Sequence, residues 1–169
     1  MIKNMLTILG VVIALLEIAF GIYKYVKETR RKKQYDTIRI YNRLFESLYS
    51  LREEYYKKYK DASLFEHNTV SSDKIMYKLV MNELTKWESF ARGLEYEIYD
   101  LEIYISLAPK ELCTIFNSLN CFVDEEIKIK NYDLLFNDFK SLCSNTTIYV
   151  ENKINKKPIP KKYRKVGLK

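Results

Sequence analysis

The hydrophobic positions of this chain fall into two regimes. From Met5 to Val26 they run almost unbroken, MLTILGVVIALLEIAFGIYKYV, with Glu17 and Lys24 as the charged residues among 22. At about 1.5 Å per residue that helix reaches roughly 33 Å, against about 30 Å for a bilayer's hydrocarbon core, so the stretch is predicted to cross a membrane. A cleaved signal peptide would have an apolar region of about 7–15 residues ending in small residues. Here the run is longer and ends in Tyr23, Tyr25 and a basic cluster.

Beyond Lys33 the apolar residues recur at three- and four-residue steps, the spacing of an amphipathic helix. Gln34 to Asp61 presents Ile38, Tyr41, Phe45, Leu48, Leu51 or Arg52, Tyr55 and Tyr59 in this way. No Gly or Pro lies between Ile22 and Arg92, so the anchor and this helix are free to form one rod. Ala62 to Ser72 reads as a connection. A second helix starts near Ser72-Asp73, residue types that favour an N-cap, and carries Ile75, Met76, Leu79, Val80, Leu84, Trp87, Phe90, Ala91, Leu94 and Ile98. Asp100 looks like the cap of a third, Leu101 to about Ser118, bent or restarted at Pro109. Cys121 to Lys130 suggests a short helix and Tyr132 to Cys143 the last one. The expected fold is all-α: a single N-terminal transmembrane helix followed by a small cytoplasmic helical bundle. Its parts are a short N-terminal segment 1–4, the transmembrane helix 5–26, a basic juxtamembrane segment 27–33, the helical bundle domain 34–143 and a basic flexible tail 144–169.

Charge changes the picture once it is partitioned. The chain is +7 overall, but residues 24–33 carry +5, residues 152–169 carry +8 and the body 34–151 is −6. Basic charge on the flanks of an acidic body argues against a nucleic-acid groove, which places Lys and Arg on one folded face. Lys24, Lys27, Arg30, Arg31, Lys32 and Lys33 follow the anchor and outweigh the single Lys3 before it. The positive-inside bias therefore holds the C-terminal side in the cytoplasm and leaves the N-terminus outside. The same cluster is suited to anionic headgroups.

Within the anchor, Lys3, Thr7, Gly10, Ala14, Glu17, Gly21 and Lys24 recur at alternating steps of four and three, the spacing of a heptad seam. Small residues allow close backbone approach, and a polar residue among them bonds across the interface. A carboxyl at this depth needs a proton or a partner. Gly10, Ala14, Glu17 and Gly21 are thus predicted to mediate homo-oligomerisation in the membrane.

Candidate chemistry is sparse. His67 is the only histidine, without a second ligand nearby, and is read as a surface or loop residue. Cys113, Cys121 and Cys143 have no zinc-ligand spacing and are expected to be reduced and buried. Four glycines leave no room for a phosphate loop. The run Tyr55-Tyr56-Lys57-Lys58-Tyr59 is read as core tyrosine with a solvated lysine face. Asn145-Thr146-Thr147 fits a glycosylation acceptor but lies on the wrong side of the predicted membrane. No catalytic residue, metal or cofactor is expected.

The segment Leu84 to Asp100 resembles a bacterial family catalogued as domain of unknown function 4760. The resemblance rests on Trp87-Glu88, Ala91-Arg92-Gly93 and Ile98-Tyr99-Asp100, in order and spacing. It extends more loosely from about Tyr35 to Cys143. Thr85 stands where an Asn is common and Glu97 where a second Gly is common. The resemblance implies an N-terminal membrane helix and, with the predicted topology, the inner (cell) membrane of a bacterium as the location; it leaves the activity open. Gly93 inside an amphipathic helix costs about 1 kcal/mol against Ala, which points to a close helix crossing. Glu88 is expected to bond the start of a neighbouring helix or an Arg such as Arg43 or Arg52. Two functions fit: a membrane-tethered interaction module, adaptor or scaffold, with an unidentified protein partner; or a small membrane effector, of toxin or phage-defence type, whose helices oligomerise through Glu17.

Overall fold

The computed structural model describes residues 2–60, 63–132 and 134–154, with side chains described from 12 to 152 within those ranges. The described residues form six helices and no strand. α1 spans Ile2–Lys58, α2 His67–Ser72, α3 Lys74–Glu95, α4 Leu101–Leu107, α5 Lys110–Lys130 and α6 Asn137–Ile154. The predicted anchor and the helix after it are one uninterrupted helix, as the absence of Gly and Pro allows.

α1 has two halves. From Tyr41 to Tyr55 it buries Tyr41, Leu44, Leu48, Leu51 and Tyr55 at helical spacing. From Val12 to Lys32 every residue is exposed, and this half projects from the bundle without touching it. Among the described residues no helix is long and apolar enough to cross a membrane. The side chains of Met5 to Val11, the first third of the predicted anchor, lie outside the described residues.

The bundle runs up and down. At its far end Lys58 and Tyr59 both donate hydrogen bonds to Asp73, and Asp73 caps α3 by accepting from the Ile75 and Met76 amides at 3.0 and 3.3 Å. The two donors and the cap hold that carboxyl well below its usual range, the Lys58 bond contributing most. α3 returns to the near end, where the amide of Asp100 donates to Thr37 Oγ1 of α1 at 2.7 Å. Asp100 then caps α4 through the Ile103 amide at 3.1 Å, as its position in the sequence predicts. α4 stops at Leu107 because Ala108, before Pro109, is extended at φ −62° and ψ 116°. α5 runs away again and ends on Asn131 at φ 50°, a conformation Asn tolerates well.

α5 continues without interruption to Lys130, so the separate helix expected over Cys121 to Lys130 is its second half. The last helix begins at Asn137 and passes Cys143 to reach Ile154. Thr146, Tyr149 and Val150 are buried there, and the Thr146 hydroxyl pairs with Tyr104 at 2.6 Å. Of the glycosylation pattern at Asn145, the middle residue Thr146 is thus inside the protein, and its threonine Thr147 is half-buried. α6 runs antiparallel to α5 and returns to the near end, packed on α3 and α5. Cys143 is buried, Cys113 half-buried and Cys121 exposed, so the expected burial fails at Cys121.

Candidate functional site

Trp87 sits at the centre of the core, fully buried. It meets Phe116 edge-to-face at 4.9 Å and Phe90 at 5.8 Å, and its indole Nε1 has no hydrogen-bond partner. Glu88, on the next position of α3, leaves this core and caps another helix. Its Oε2 accepts the Phe139 amide, in the first turn of α6, at 2.7 Å. Arg92, one turn on, reaches the other oxygen at 3.4 Å and donates to Asp138 at 2.9 Å. Burial raises the Glu88 carboxyl above its ordinary value, and the Phe139 amide opposes that shift. Of the two partners expected for Glu88 the helix start is found; the arginine is Arg92, not Arg43 or Arg52.

Gly93 faces no crossing helix. A Cβ there would lie 2.4 Å from Cε2 of Tyr99, whose ring stacks on Phe90 at 5.1 Å. The carbonyl of Gly93 accepts the amides of Ile98 and Tyr99 at 2.8 and 3.0 Å, turning the chain back over the end of α3. Glu97 makes the turn at φ 56°, the left-handed conformation that favours glycine. That explains why a glycine suits position 97. The residues that carry the resemblance are therefore one junction, where the end of α3 meets α1, α4 and α6.

The family model described as domain of unknown function (DUF4760) matches residues 4–146. This chain belongs to that family. No curated protein and no solved structure matches it. The DUF4760 match takes in the apolar first half of α1 and all of the bundle except the last turns of α6.

Two further polar clusters tie helices of the DUF4760 bundle together, and sequence reasoning found neither. His67, expected on the surface, is buried as the first residue of α2. Its Nε2 lies 2.9 Å from Glu126 Oε1 and its Nδ1 3.6 Å from Glu125. Tyr77 donates to Glu126 at 3.0 Å, and Lys130 pairs with it at 2.7 Å. Burial pushes the Glu126 carboxyl up, but the bonds from Lys130, His67 and Tyr77 outweigh it and hold the group below its ordinary range. The partners are 59 and 49 positions apart in sequence, so no local pattern marks them.

In the second cluster, Glu83 of α3 accepts from Ser47 of α1 at 2.7 Å and from Lys86 at 2.8 Å. It lies in the wall of an open cleft of about 510 Å³ between α1 and α3. The Lys86 ammonium is held by a carboxylate and also donates to Ser47 at 2.8 Å, so the serine has no free base beside it. Both clusters read as stitches between helices. Among the described residues no group of three or more His, Cys, Asp or Glu is placed to hold a metal ion.

The predicted association face is described in part. Ala14, Glu17 and Gly21 lie on the projecting half of α1 and are exposed. A Cβ at Gly21 would meet nothing within 4 Å. For Lys3, Thr7 and the association residue Gly10 only the helical backbone is described. Lys24, Lys27, Arg30, Arg31 and Lys32 are exposed and Lys33 half-buried; Lys24 stands 4.0 Å from Glu28.

Proposed function

We propose that this protein is a single-pass, membrane-tethered helical interaction module that associates with itself through its anchor and presents the bundle to a protein partner in the cytoplasm. One observation carries the reading. α1 leaves the bundle near Thr37, and the part from Val12 to Val26 exposes Val12, Ile13, Leu15, Leu16, Ile18, Phe20, Ile22, Tyr23, Tyr25 and Val26, each 46 % or more accessible. A helix apolar on every side, with no protein covering it, marks a lipid-facing segment or a contact with another molecule. Its continuation back to Met5 gives it the length of a bilayer core. Basic residues at its C-terminal end favour retention of the bundle in the cytoplasm. Ala14, Glu17 and Gly21 on one face support close packing between copies.

A β-galactosidase fused after Lys169 should be active and an alkaline phosphatase at the same place inactive; the opposite pair overturns the topology. In a membrane two-hybrid assay Gly21→Leu and Glu17→Leu should each weaken self-association of the anchor, and signals equal to the native helix would remove the association. Overexpression should leave the membrane potential intact. Rapid depolarisation would favour the effector function instead.

A further inference from the structure

The spacing that lines up Ala14, Glu17 and Gly21 does not stop where α1 enters the bundle. Continued in alternating steps of three and four, it passes Lys24, Glu28 and Arg31. It then meets Tyr35, Ile38, Asn42, Phe45 and Tyr49 on the bundle half of the helix, and Arg52 and Tyr56 complete it. The core-facing residues Tyr41, Leu44, Leu48, Leu51 and Tyr55 each precede one of these by a single position. The seam therefore stands about 100° around α1 from the core, on a flank the bundle leaves open. Beyond Val26 the large apolar side chains that α1 exposes are Tyr35 at 65 %, Ile38 at 38 % and Tyr56 at 40 %, and all of them are on it. Phe45 and Tyr49 are half-buried there with rings 4.4 Å apart. The Arg52 guanidinium lies 5.5 Å from the rings of both Tyr49 and Tyr56, so the stripe is aromatic to its end.

We infer that a second copy of this chain covers this face, so that α1 pairs with its counterpart over Tyr35 to Tyr56 as a parallel, two-stranded coiled coil in phase with the anchor. This rests on the self-association proposed for the anchor. Continuity selects the occupant. The helix is unbroken and the spacing keeps its phase, so a neighbour seated on Ala14 and Gly21 meets Tyr35 and Ile38 next. The heptad positions select the number of strands. Asn42 falls at an a position between Ile38 and Phe45 at d, and a lone Asn at a, paired with its own copy, fixes register at a cost in stability. The placement of the core makes room, because a two-fold axis along the seam sends the two bundles to opposite sides. A straight helix drifts from this repeat by about 20° per heptad, which a left-handed supercoil takes up.

The test is oxidative cross-linking of the full chain in phosphatidylcholine vesicles, with Cys113 and Cys121 replaced by Ser; Cys143 is buried. Single cysteines are introduced by Ala14→Cys in the anchor, by Asn42→Cys on the seam and by Glu54→Cys on the opposite side of α1. All three positions are exposed, so the substitutions leave the core intact. Rapid disulfide dimers from Ala14→Cys and Asn42→Cys, several-fold faster than from Glu54→Cys, support the inference. Adding Ile38→Glu removes an apolar contact from each copy and sets two carboxylates against each other. It should slow cross-linking of the Asn42→Cys variant about ten-fold or more and leave that of the Ala14→Cys variant unchanged. Cross-linking of Ala14→Cys with equal rates for Asn42→Cys and Glu54→Cys overturns this inference, leaves the anchor association standing and gives the face to another occupant. An Asn42→Cys rate indifferent to Ile38→Glu overturns it too. Loss of cross-linking in the Ala14→Cys variant overturns the anchor association and, with it, the continuous seam.

Discussion

Replacing Gly93 with alanine sets two effects of opposite sign against each other. Alanine is better than glycine in a helix interior by about 1 kcal/mol, so the change should stabilise α3 if nothing is near. The added Cβ, however, would stand 2.4 and 2.5 Å from Cε2 and Cδ2 of Tyr99. Carbon atoms rest at about 3.5–4.0 Å, so the ring must retreat by roughly an ångström or more. It has little freedom to do so, being stacked on Phe90 and held through its own amide by the Gly93 carbonyl. Overpacking of this kind costs about 1–3 kcal/mol, and the clash wins. Gly93→Ala should destabilise the full chain in mild detergent by up to about 2 kcal/mol, the overpacking cost less the helix gain, in urea unfolding followed by circular dichroism. On a Tyr99→Ala background the ring is gone, and the same substitution should become stabilising by up to about 1 kcal/mol. The difference between the two backgrounds measures the contact. Equal effects in both, or stabilisation in the native background, would refute the close approach of Tyr99.

At Glu97 the left-handed φ should reverse the usual sign of a glycine substitution: Glu97→Gly should raise stability by about 0.5–1 kcal/mol, seen as a higher urea midpoint, and a fall would remove the strain argument. Glu126 has a folded pKa below its ordinary value, so its contribution is fully present above about pH 4.5 and is lost as pH falls through the folded value. Glu126→Gln should therefore lower stability at neutral pH and flatten the decline below about pH 4.5; a mutant that keeps the native acid slope would place the proton uptake elsewhere.

Much of the fold is legible in short-range pattern. Asp73 and Asp100 have cap chemistry at the start of apolar periods, and the structure places both as N-caps. Pro109 forces the break between α4 and α5, and Trp87 lies on the apolar stripe of α3, inside the core. The rest depends on contacts remote in sequence. α6 outruns Cys143 because Thr146 is buried by pairing with Tyr104, so a polar residue occupies a core position and interrupts the apolar count. His67 reads as a loop residue until Glu126 arrives from α5. The glycine at 93 is audible as a cost, but what approaches it is the residue six positions on, because the turn at Glu97 folds the chain back. The sequence marks Glu88 as lying at the edge of the apolar face; only the direction of α6 turns that edge into a cap.

The unbroken course of α1 has a mechanical consequence. Its residues between Val12 and Tyr55 belong to one set of backbone hydrogen bonds, with no glycine or proline joint between Ile22 and Lys58. A rod of this kind transmits torque. Turning the projecting half by a single residue step rotates it by about 100°, and Tyr41, Leu44 and Leu48 would have to leave their places against α3 and α4. The two halves therefore cannot swivel independently. Whatever fixes the azimuth of Glu17 and Gly21 also fixes which side of the bundle faces a neighbour, so pairing at one end of the shaft dictates the mutual orientation of the bodies at the other.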